Sequence, residues 1–108
     1  MGLFEKNELV RLLEELTRRM SGVRASLASG DPVGALASID EARRTLVGPL
    51  LTTLDRVDAS TVVALLGRDR ARVYVELARL EAEAREAQDD APGARRAGAR
   101  ADEIARAL

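Results

Sequence analysis

The apolar residues of this chain recur at helical spacing in two long stretches. In the first stretch they stand three and four residues apart, at Leu9, Leu13, Leu16, Met20, Val23 and Leu27. The same alternation returns after Gly67, at Val73, Leu77, Leu80, Ala84 and Ala87, with Tyr74 beside it. This spacing places side chains on one face of an α-helix. The pattern therefore predicts two long amphipathic helices that pack lengthwise against other helices.

Each long helix is followed by turn residues and a second helical pattern. Ser29-Gly30-Asp31-Pro32 supplies a glycine stop, an aspartate N-cap and a proline at the first helical position, and Asp89-Asp90-Ala91-Pro92 repeats the arrangement in part. The second helices carry inward positions at Val33, Leu36, Ile39, Ala42 or Arg43, and Leu46, and at Ala94, Ala97, Ala101, Ile104 and Leu108. We therefore expect two helical hairpins. The final helix is mostly alanine on its inner face, so it buries little surface and should fray first.

Between the hairpins, Gly48-Pro49 ends the second helix because proline lacks a backbone donor and clashes with the preceding turn. The following residues predict two short helices divided near Asp58, a plausible N-cap. The chain is thus interpreted as one helical domain over residues 1–108, with a first hairpin over 1–47, an irregular apolar connector over 48–67 and a second hairpin over 68–108. The predicted fold class is all-α, a small bundle of about four to six helices.

Composition agrees with this fold class and excludes several kinds of chemistry. Hydrophobic residues make up 46% of the chain, and the two aromatic residues are Phe4 and Tyr74, which argues against strands. The chain has no Cys and no His, so thiolate nucleophiles, imidazole acid–base catalysis and Cys- or His-based metal sites are excluded. Lys6 is the single lysine, and no phosphate-binding loop sequence occurs.

Neighbouring carboxylates are the remaining candidates for catalysis or for a hard cation. They occur at Glu14 with Glu15, Glu81 with Glu83, and Asp89 with Asp90. All of them stand beside arginines or at a turn, so the pattern favours solvated helix faces and helix-end electrostatics. We expect a non-enzymatic protein with no cofactor, no metal and no evident small-molecule substrate.

Two features bear on location. The residues from Met1 to Lys6 include an early acidic residue and lack the basic and apolar regions of a signal peptide. The longest apolar runs are far shorter than the roughly 20 residues that span a bilayer. We therefore expect a cytoplasmic protein that does not enter a membrane.

The connector is unusually apolar for two short helices, and its composition supports two interpretations. Its apolar side chains either close one end of the bundle or form an interface with another protein or with a second copy in a homodimer. The residues proposed for such an interface are Leu50, Leu51, Leu54, Val62 and Leu66.

A basic face on the last helix supports an alternative function. Arg95, Arg96 and Arg100 could contact nucleic-acid phosphates, but Asp102 and Glu103 dilute the charge and the formal net charge is −1. Because no stacking aromatic stands nearby, nucleic acid is an unlikely partner. The preferred hypothesis is a protein–protein interaction module or small scaffold that uses the connector or a hairpin groove. The alternative is a nucleic-acid-associated regulator that uses the arginine-rich helix.

The hairpins resemble tetratricopeptide units, because the turn Gly30-Asp31-Pro32 leads to small Ala35 and Ala42 around Ile39. The order of segments also resembles an uncharacterised bacterial family of short helical proteins, known only as a domain of unknown function. The features shared with that family are a helix from Phe4 to Leu27, Ile39-Asp40-Glu41-Ala42 before Leu46-Val47-Gly48, a connector ending at Leu65-Leu66, and Glu76-Leu77-Ala78. The resemblance implies a helical, repeat-like fold and no assigned activity.

Overall fold

A computed structural model describes residues 6–108 and confirms the all-α fold class. Over these residues the chain forms six α-helices and no strand. The helices are α1 (Lys6–Ala28), α2 (Pro32–Val47), α3 (Leu51–Leu54), α4 (Ala59–Leu66), α5 (Arg68–Ala87) and α6 (Ala91–Ala107), with a 3-10 turn at Gly48–Leu50. The proposed start of the first helix at Phe4 lies outside the described residues.

The four long helices form the two predicted hairpins. Helix α1 packs on α2, and α5 packs on α6 over the most extensive interface of the described chain. Helix α2 lies against α5, and α1 also touches α5, so the two hairpins stand side by side. Helix α4 packs on α5 and α6, while α3 contacts α2. The connector therefore fills the space beside the second hairpin and at the end of α2.

The core follows the predicted helical faces in the middle of each helix. Leu16, Met20 and Val23 of α1 are buried, and so are Leu77, Leu80 and Ala84 of α5. Helix α5 is buried more widely than its spacing predicts, because neighbours cover it on several sides; the added residues are Ala71, Tyr74, Val75 and Ala78. On α6 the predicted inward residues Ala94, Ala97, Ala101 and Ile104 are buried.

Two predicted core positions are exposed. Val33 lies in the first turn of α2 and is 66% exposed, and Ala87 is the last residue of α5. Both stand next to a hairpin turn, where the facing helix ends and leaves nothing to cover them. Helical spacing predicts the face of a helix but not how far along it a neighbour extends.

The two hairpin turns have the same backbone geometry. Gly30 and Asp89 occupy corresponding positions in the left-handed region, with φ of 79° and 60°. The next residues, Asp31 and Asp90, each donate a backbone N–H to the carbonyl oxygen five residues earlier, at 2.8 Å. Aspartate tolerates the left-handed region better than most residues other than glycine, which explains how the second turn forms without one.

The same two aspartates cap the helices that follow. The Asp31 carboxylate accepts the backbone N–H of Gly34, and the Asp90 carboxylate accepts that of Gly93, both at 2.9 Å. Asp58 caps α4 by accepting the N–H of Thr61, also at 2.9 Å. These bonds satisfy donors that lack partners in the first helical turn. The caps at Asp31 and Asp58 are where the sequence predicts them, and Asp90 lies in the predicted turn before α6.

No helix in the described part of the chain combines the length and the apolar character that crossing a lipid bilayer requires.

The two glycines of α6 should respond oppositely to alanine. A Cβ at Gly93 would overlap the Asp90 carboxylate and lie 2.7 Å from Cδ of Arg85, whereas a Cβ at Gly98 has open space around it. We expect Gly93→Ala to lower the free energy of unfolding by about 1 kcal/mol, because the cap is displaced. Gly98→Ala should raise it by about 0.5–1 kcal/mol, because alanine favours helix. Urea unfolding followed by circular dichroism measures both values, and equal gains in the two variants would contradict the cap geometry.

Candidate functional site

The apolar connector closes the bundle. Leu54, Val62 and Leu66 are almost fully buried in the core of the chain itself. Leu50 and Leu51 are half-buried and pack against the same core. This finding corrects the interface interpretation for Leu54, Val62 and Leu66, because in the folded chain α4 packs on α5 and α6 and α3 packs on α2. Periodicity identified the apolar side of these short helices but not which helices would cover it.

The proposed basic face loses Arg100. Nη2 of Arg100 donates to the carbonyl oxygens of Leu54 at 2.8 Å and of Val57 at 2.6 Å, so this guanidinium ties the connector to α6. Arg95 and Arg96 are exposed and form no ion pair with any residue in the range 6–108. The carbonyl partners of Arg100 stand more than 40 residues earlier in the chain, so no local signal could have revealed them.

A groove runs between the first helices of the two hairpins, and we call it the α1–α5 groove. Its volume is about 520 Å³. Its lining residues are Thr17, Met20 and Arg24 of α1, Arg72, Val73, Val75, Glu76 and Arg79 of α5, and Leu108. A second hollow continues it along α1, and Thr17 lines both; the other residues there are Val10, Leu13, Glu14 and Arg18. The floor is thus mainly apolar and the rim is charged.

Arginine dominates the rim of this groove. The two hollows together hold four arginines and two glutamates. Arg24 pairs with Glu76 at 3.0 Å, and both side chains remain about half-exposed. Arg72 lies 3.7 Å from Asp69, which is long for an ion pair, and both side chains are exposed. Exposed pairs of this kind stabilise a fold weakly, so these arginines remain free to interact with other groups.

A charged cluster joins the two hairpins. Glu81 of α5 lies 2.5 Å from Nη2 of Arg43 on α2 and 2.6 Å from Nε of Arg85 one turn later. Arg85 continues to the Asp90 carboxylate at 3.3 Å. Glu81 and Arg43 are mostly buried, which corrects the prediction that Glu81 belongs to a solvated face. The sequence signal was the spacing of four between Glu81 and Arg85, but Arg43 is visible only in the fold.

The cluster alters the pKa of two carboxyl groups. Burial alone raises the pKa of Glu81, but the Arg43 guanidinium and the hydrogen bonds from Arg85 and Arg43 outweigh it, and the pKa lies below its usual range. The backbone N–H of Gly93 and then the side chain of Arg85 hold the pKa of Asp90 below its usual range as well. Both groups are therefore ionised at neutral pH.

A smaller cleft lies where α2, the connector, α5 and α6 meet, and we call it the Tyr74 cleft. Its volume is about 290 Å³. Its lining residues are Asp40, Arg43, Leu51, Asp55, Tyr74, Ala78, Glu81, Ala97 and Arg100. The guanidinium carbon of Arg43 lies 5.8 Å from the centroid of the Tyr74 ring, within the range of a cation–π contact. Nε of Arg43 is buried without a hydrogen-bond partner in the described structure, and the contact of its guanidinium with the Tyr74 ring partly offsets this loss.

The described residues contain no group of three acidic, histidine or cysteine side chains close enough to hold a metal ion.

Comparison with known proteins yields no relative of this chain. Protein-family models, curated proteins and solved structures were each searched, and none matches. The resemblances to tetratricopeptide units and to the bacterial family of short helical proteins therefore stay predictions.

Loss of the Arg100 guanidinium should destabilise the fold, whereas loss of an exposed arginine on the same helix should not. Arg100→Met removes two charge-assisted hydrogen bonds to connector carbonyls, and we expect the free energy of unfolding to fall by about 1.5–3 kcal/mol. Arg96→Met, the matched control, should change it by less than about 0.5 kcal/mol. Chemical unfolding of the two variants checks this, and an unchanged stability in Arg100→Met would show that the connector needs no anchor.

Glu81 should make stability depend on pH in the acidic range. A carboxyl group whose folded pKa is lowered stabilises the protein fully above its unfolded pKa, near 4.5, and this contribution is lost as the pH falls through the lower folded pKa. At neutral pH we expect Glu81→Gln to cost about 2 kcal/mol or more, because the buried Arg43 charge loses its partner. The gap to the unsubstituted chain should narrow below pH 4.5.

The control for this experiment is Glu83→Gln, because Glu83 is exposed on the same helix and pairs with nothing in residues 6–108. It should track the unsubstituted chain at every pH. A gap between the unsubstituted chain and Glu81→Gln that stays constant from neutral to acidic pH would contradict the assignment.

Proposed function

We propose that this protein is a helical protein–protein interaction module whose α1–α5 groove holds an amphipathic helix of another protein, with acidic residues beside its apolar face. The observation that supports this most directly is an apolar floor that continues beyond the bundle core to an exposed valine, Val10, and is bordered by arginines. Helices that dock through one apolar face commonly occupy grooves of this kind.

The dimensions of the groove suit a helix. Its wall on α1 runs from Val10 to Arg24, which is about 21 Å at about 1.5 Å per residue, so it can accommodate four turns of a docked helix. Met20 and Val75 lie in the floor and belong to the core, so they form a fixed base. Leu13, Val73 and Leu108 are half-buried and would lose their remaining exposed surface on binding.

The charge of the groove selects the class of partner. Four arginines and two glutamates line the rim, and the aspartates that pair with Arg72 and Arg79, Asp69 and Asp102, stand outside it, so the lining itself is positive although the chain carries a formal charge of −1. Complementary charge steers an acidic partner and disfavours a basic one. A second copy of the chain is the alternative occupant, and solution mass distinguishes it from a different partner.

We also propose that the two hairpins have a repeat-like origin and that the protein acts in the cytoplasm of a bacterial cell. The two hairpins share one turn geometry, which supports a repeat-like, tetratricopeptide-like origin. A chain without cysteine depends on no oxidising compartment, which supports a cytoplasmic role in a bacterial cell.

The groove can be tested with two valines that are both exposed and apolar. Val10 lies in the groove and is 46% exposed, whereas Val33 lies outside it. We expect a labelled amphipathic helical peptide with glutamates beside its leucine face to bind the unsubstituted chain. Val10→Glu should weaken this binding about tenfold or more, which corresponds to about 1.4 kcal/mol. Val33→Glu should leave the affinity unchanged, and circular dichroism should show native helicity in both variants.

A peptide of the same leucine face with lysines in place of glutamates supplies the charge control. The proposal fails if this peptide binds as tightly, or if Val33→Glu weakens binding as much as Val10→Glu. Light scattering across a concentration series addresses the second copy, because a dimer that Val10→Glu disrupts would assign the groove to self-association.

A further inference from the structure

The Tyr74 cleft is separate from the α1–α5 groove, and the two share no lining residue. We propose that the Tyr74 cleft binds an ammonium or guanidinium group on an alkyl stem, because two carboxylates without partners and the unpaired hydroxyl of the largely buried Tyr74 side chain line it. The source of such a group is either a free small cation or a basic side chain of a partner. This proposal does not depend on the function proposed for the groove.

The hydroxyl of Tyr74 is one of the polar groups of the cleft. Tyr74 is only 4% exposed, yet its hydroxyl forms no hydrogen bond with any residue that the structure describes. The side chain lines the cleft, and its hydroxyl oxygen is not enclosed by the fold. The oxygen is therefore open to the cleft, where it can accept a hydrogen bond from a ligand.

The arginines of the cleft differ from its aspartates in whether they have partners. The charges of both arginines of the cleft are already balanced or bound, since Nη2 of Arg43 pairs with Glu81 and Arg100 donates to connector carbonyls, and only Nε of Arg43 lacks an acceptor. In contrast, the exposed carboxylates of Asp40 and Asp55 make no hydrogen bond or ion pair with other side chains described in the range 7–108. Their negative charge is thus the charge of the cleft that has no partner. A positively charged donor is the ligand that would satisfy these carboxylates most strongly.

The size and polarity of the Tyr74 cleft limit the ligands that it can hold. A volume of about 290 Å³ lies at the lower end of ligand pockets, so the cleft suits one chain end rather than a large molecule. Leu51, Ala78 and Ala97 supply apolar lining against which methylene groups can pack while the charged end meets the carboxylates. A metal ion is a poorer fit, because these carboxylates belong to no group of three metal-binding side chains among the described residues.

The intrinsic fluorescence of the protein can measure binding in this cleft. Tyr74 is the single tyrosine and there is no tryptophan, so tyrosine fluorescence of the intact protein comes from the cleft. The probes are butylguanidinium and its uncharged counterpart butylurea, which has a similar shape. We expect butylguanidinium to change the tyrosine emission to saturation, and butylurea to bind at least about tenfold more weakly.

Variants locate the binding. Asp40→Asn and Asp55→Asn should each weaken butylguanidinium binding about tenfold, because each removes a charge-assisted hydrogen bond. The matched control is Asp69→Asn, which removes an exposed aspartate outside the cleft and should leave the affinity unchanged. Tyr74→Phe keeps the ring and should weaken binding several-fold by calorimetry. Circular dichroism confirms that each variant remains folded.

Each outcome of these experiments either supports or overturns the proposed cation site. The proposal is overturned if butylguanidinium gives no saturable change, if butylurea binds equally well, or if Asp55→Asn binds like the unsubstituted chain. An arginine-bearing peptide that binds more than tenfold tighter than butylguanidinium, and loses this when citrulline replaces arginine, supports the site and assigns it to a partner's side chain. A peptide that binds no tighter supports the site and assigns it to a free small cation. Val10→Glu should change none of these results, so failure of the groove and failure of the cleft are distinguishable.

Discussion

The mutual arrangement of the two hairpins depends on Glu81. Its two carboxylate oxygens reach Arg43 of the first hairpin and Arg85 of its own helix, and Arg85 extends the contact to the cap of α6. Apolar faces attract without direction, so they would allow α2 to slide along α5 at small cost. A mostly buried carboxylate with two guanidinium partners allows little displacement, because breaking either contact leaves a charge away from water. The cluster therefore fixes the register that burial alone leaves open.

The same constraint explains how an alanine-rich helix can be placed with precision. The face that α6 turns inward is formed largely by Ala94, Ala97 and Ala101. Small side chains permit close approach but interlock little, so the interface itself specifies position weakly. A polar contact near the turn supplies part of what is missing, because Arg85 and Asp90 pair there at 3.3 Å, whereas the exposed pair of Arg79 and Asp102 further along adds little. Arg100 adds a second constraint by holding the connector.

Local signals predicted the long helices, the caps at Asp31 and Asp58 and both turns, because spacing, an aspartate before a helix and a glycine after one act within a few residues. What the sequence could not predict depends on residues far apart in the chain. The burial of Val62 and Leu66 requires α5 and α6 as a cover, and the role of Arg100 requires carbonyls more than 40 residues away. A hairpin groove was predicted as a binding surface, whereas the α1–α5 groove lies between the two hairpins and none of its residues was predicted to bind. The Tyr74 cleft was missed altogether, because four separate segments build it.

Helix α5 contributes to both proposed binding surfaces through different faces. Val75, Glu76 and Arg79 line the groove, whereas Tyr74, Ala78 and Glu81 line the cleft. At about 3.6 residues per turn these two sets point to nearly opposite sides of the helix. Neighbours cover α5 on several sides and Glu81 fixes it to α2, so close packing holds it as a rigid wall between the surfaces. A ligand in one surface would move the other only by shifting α5 itself, and the charged cluster opposes that shift.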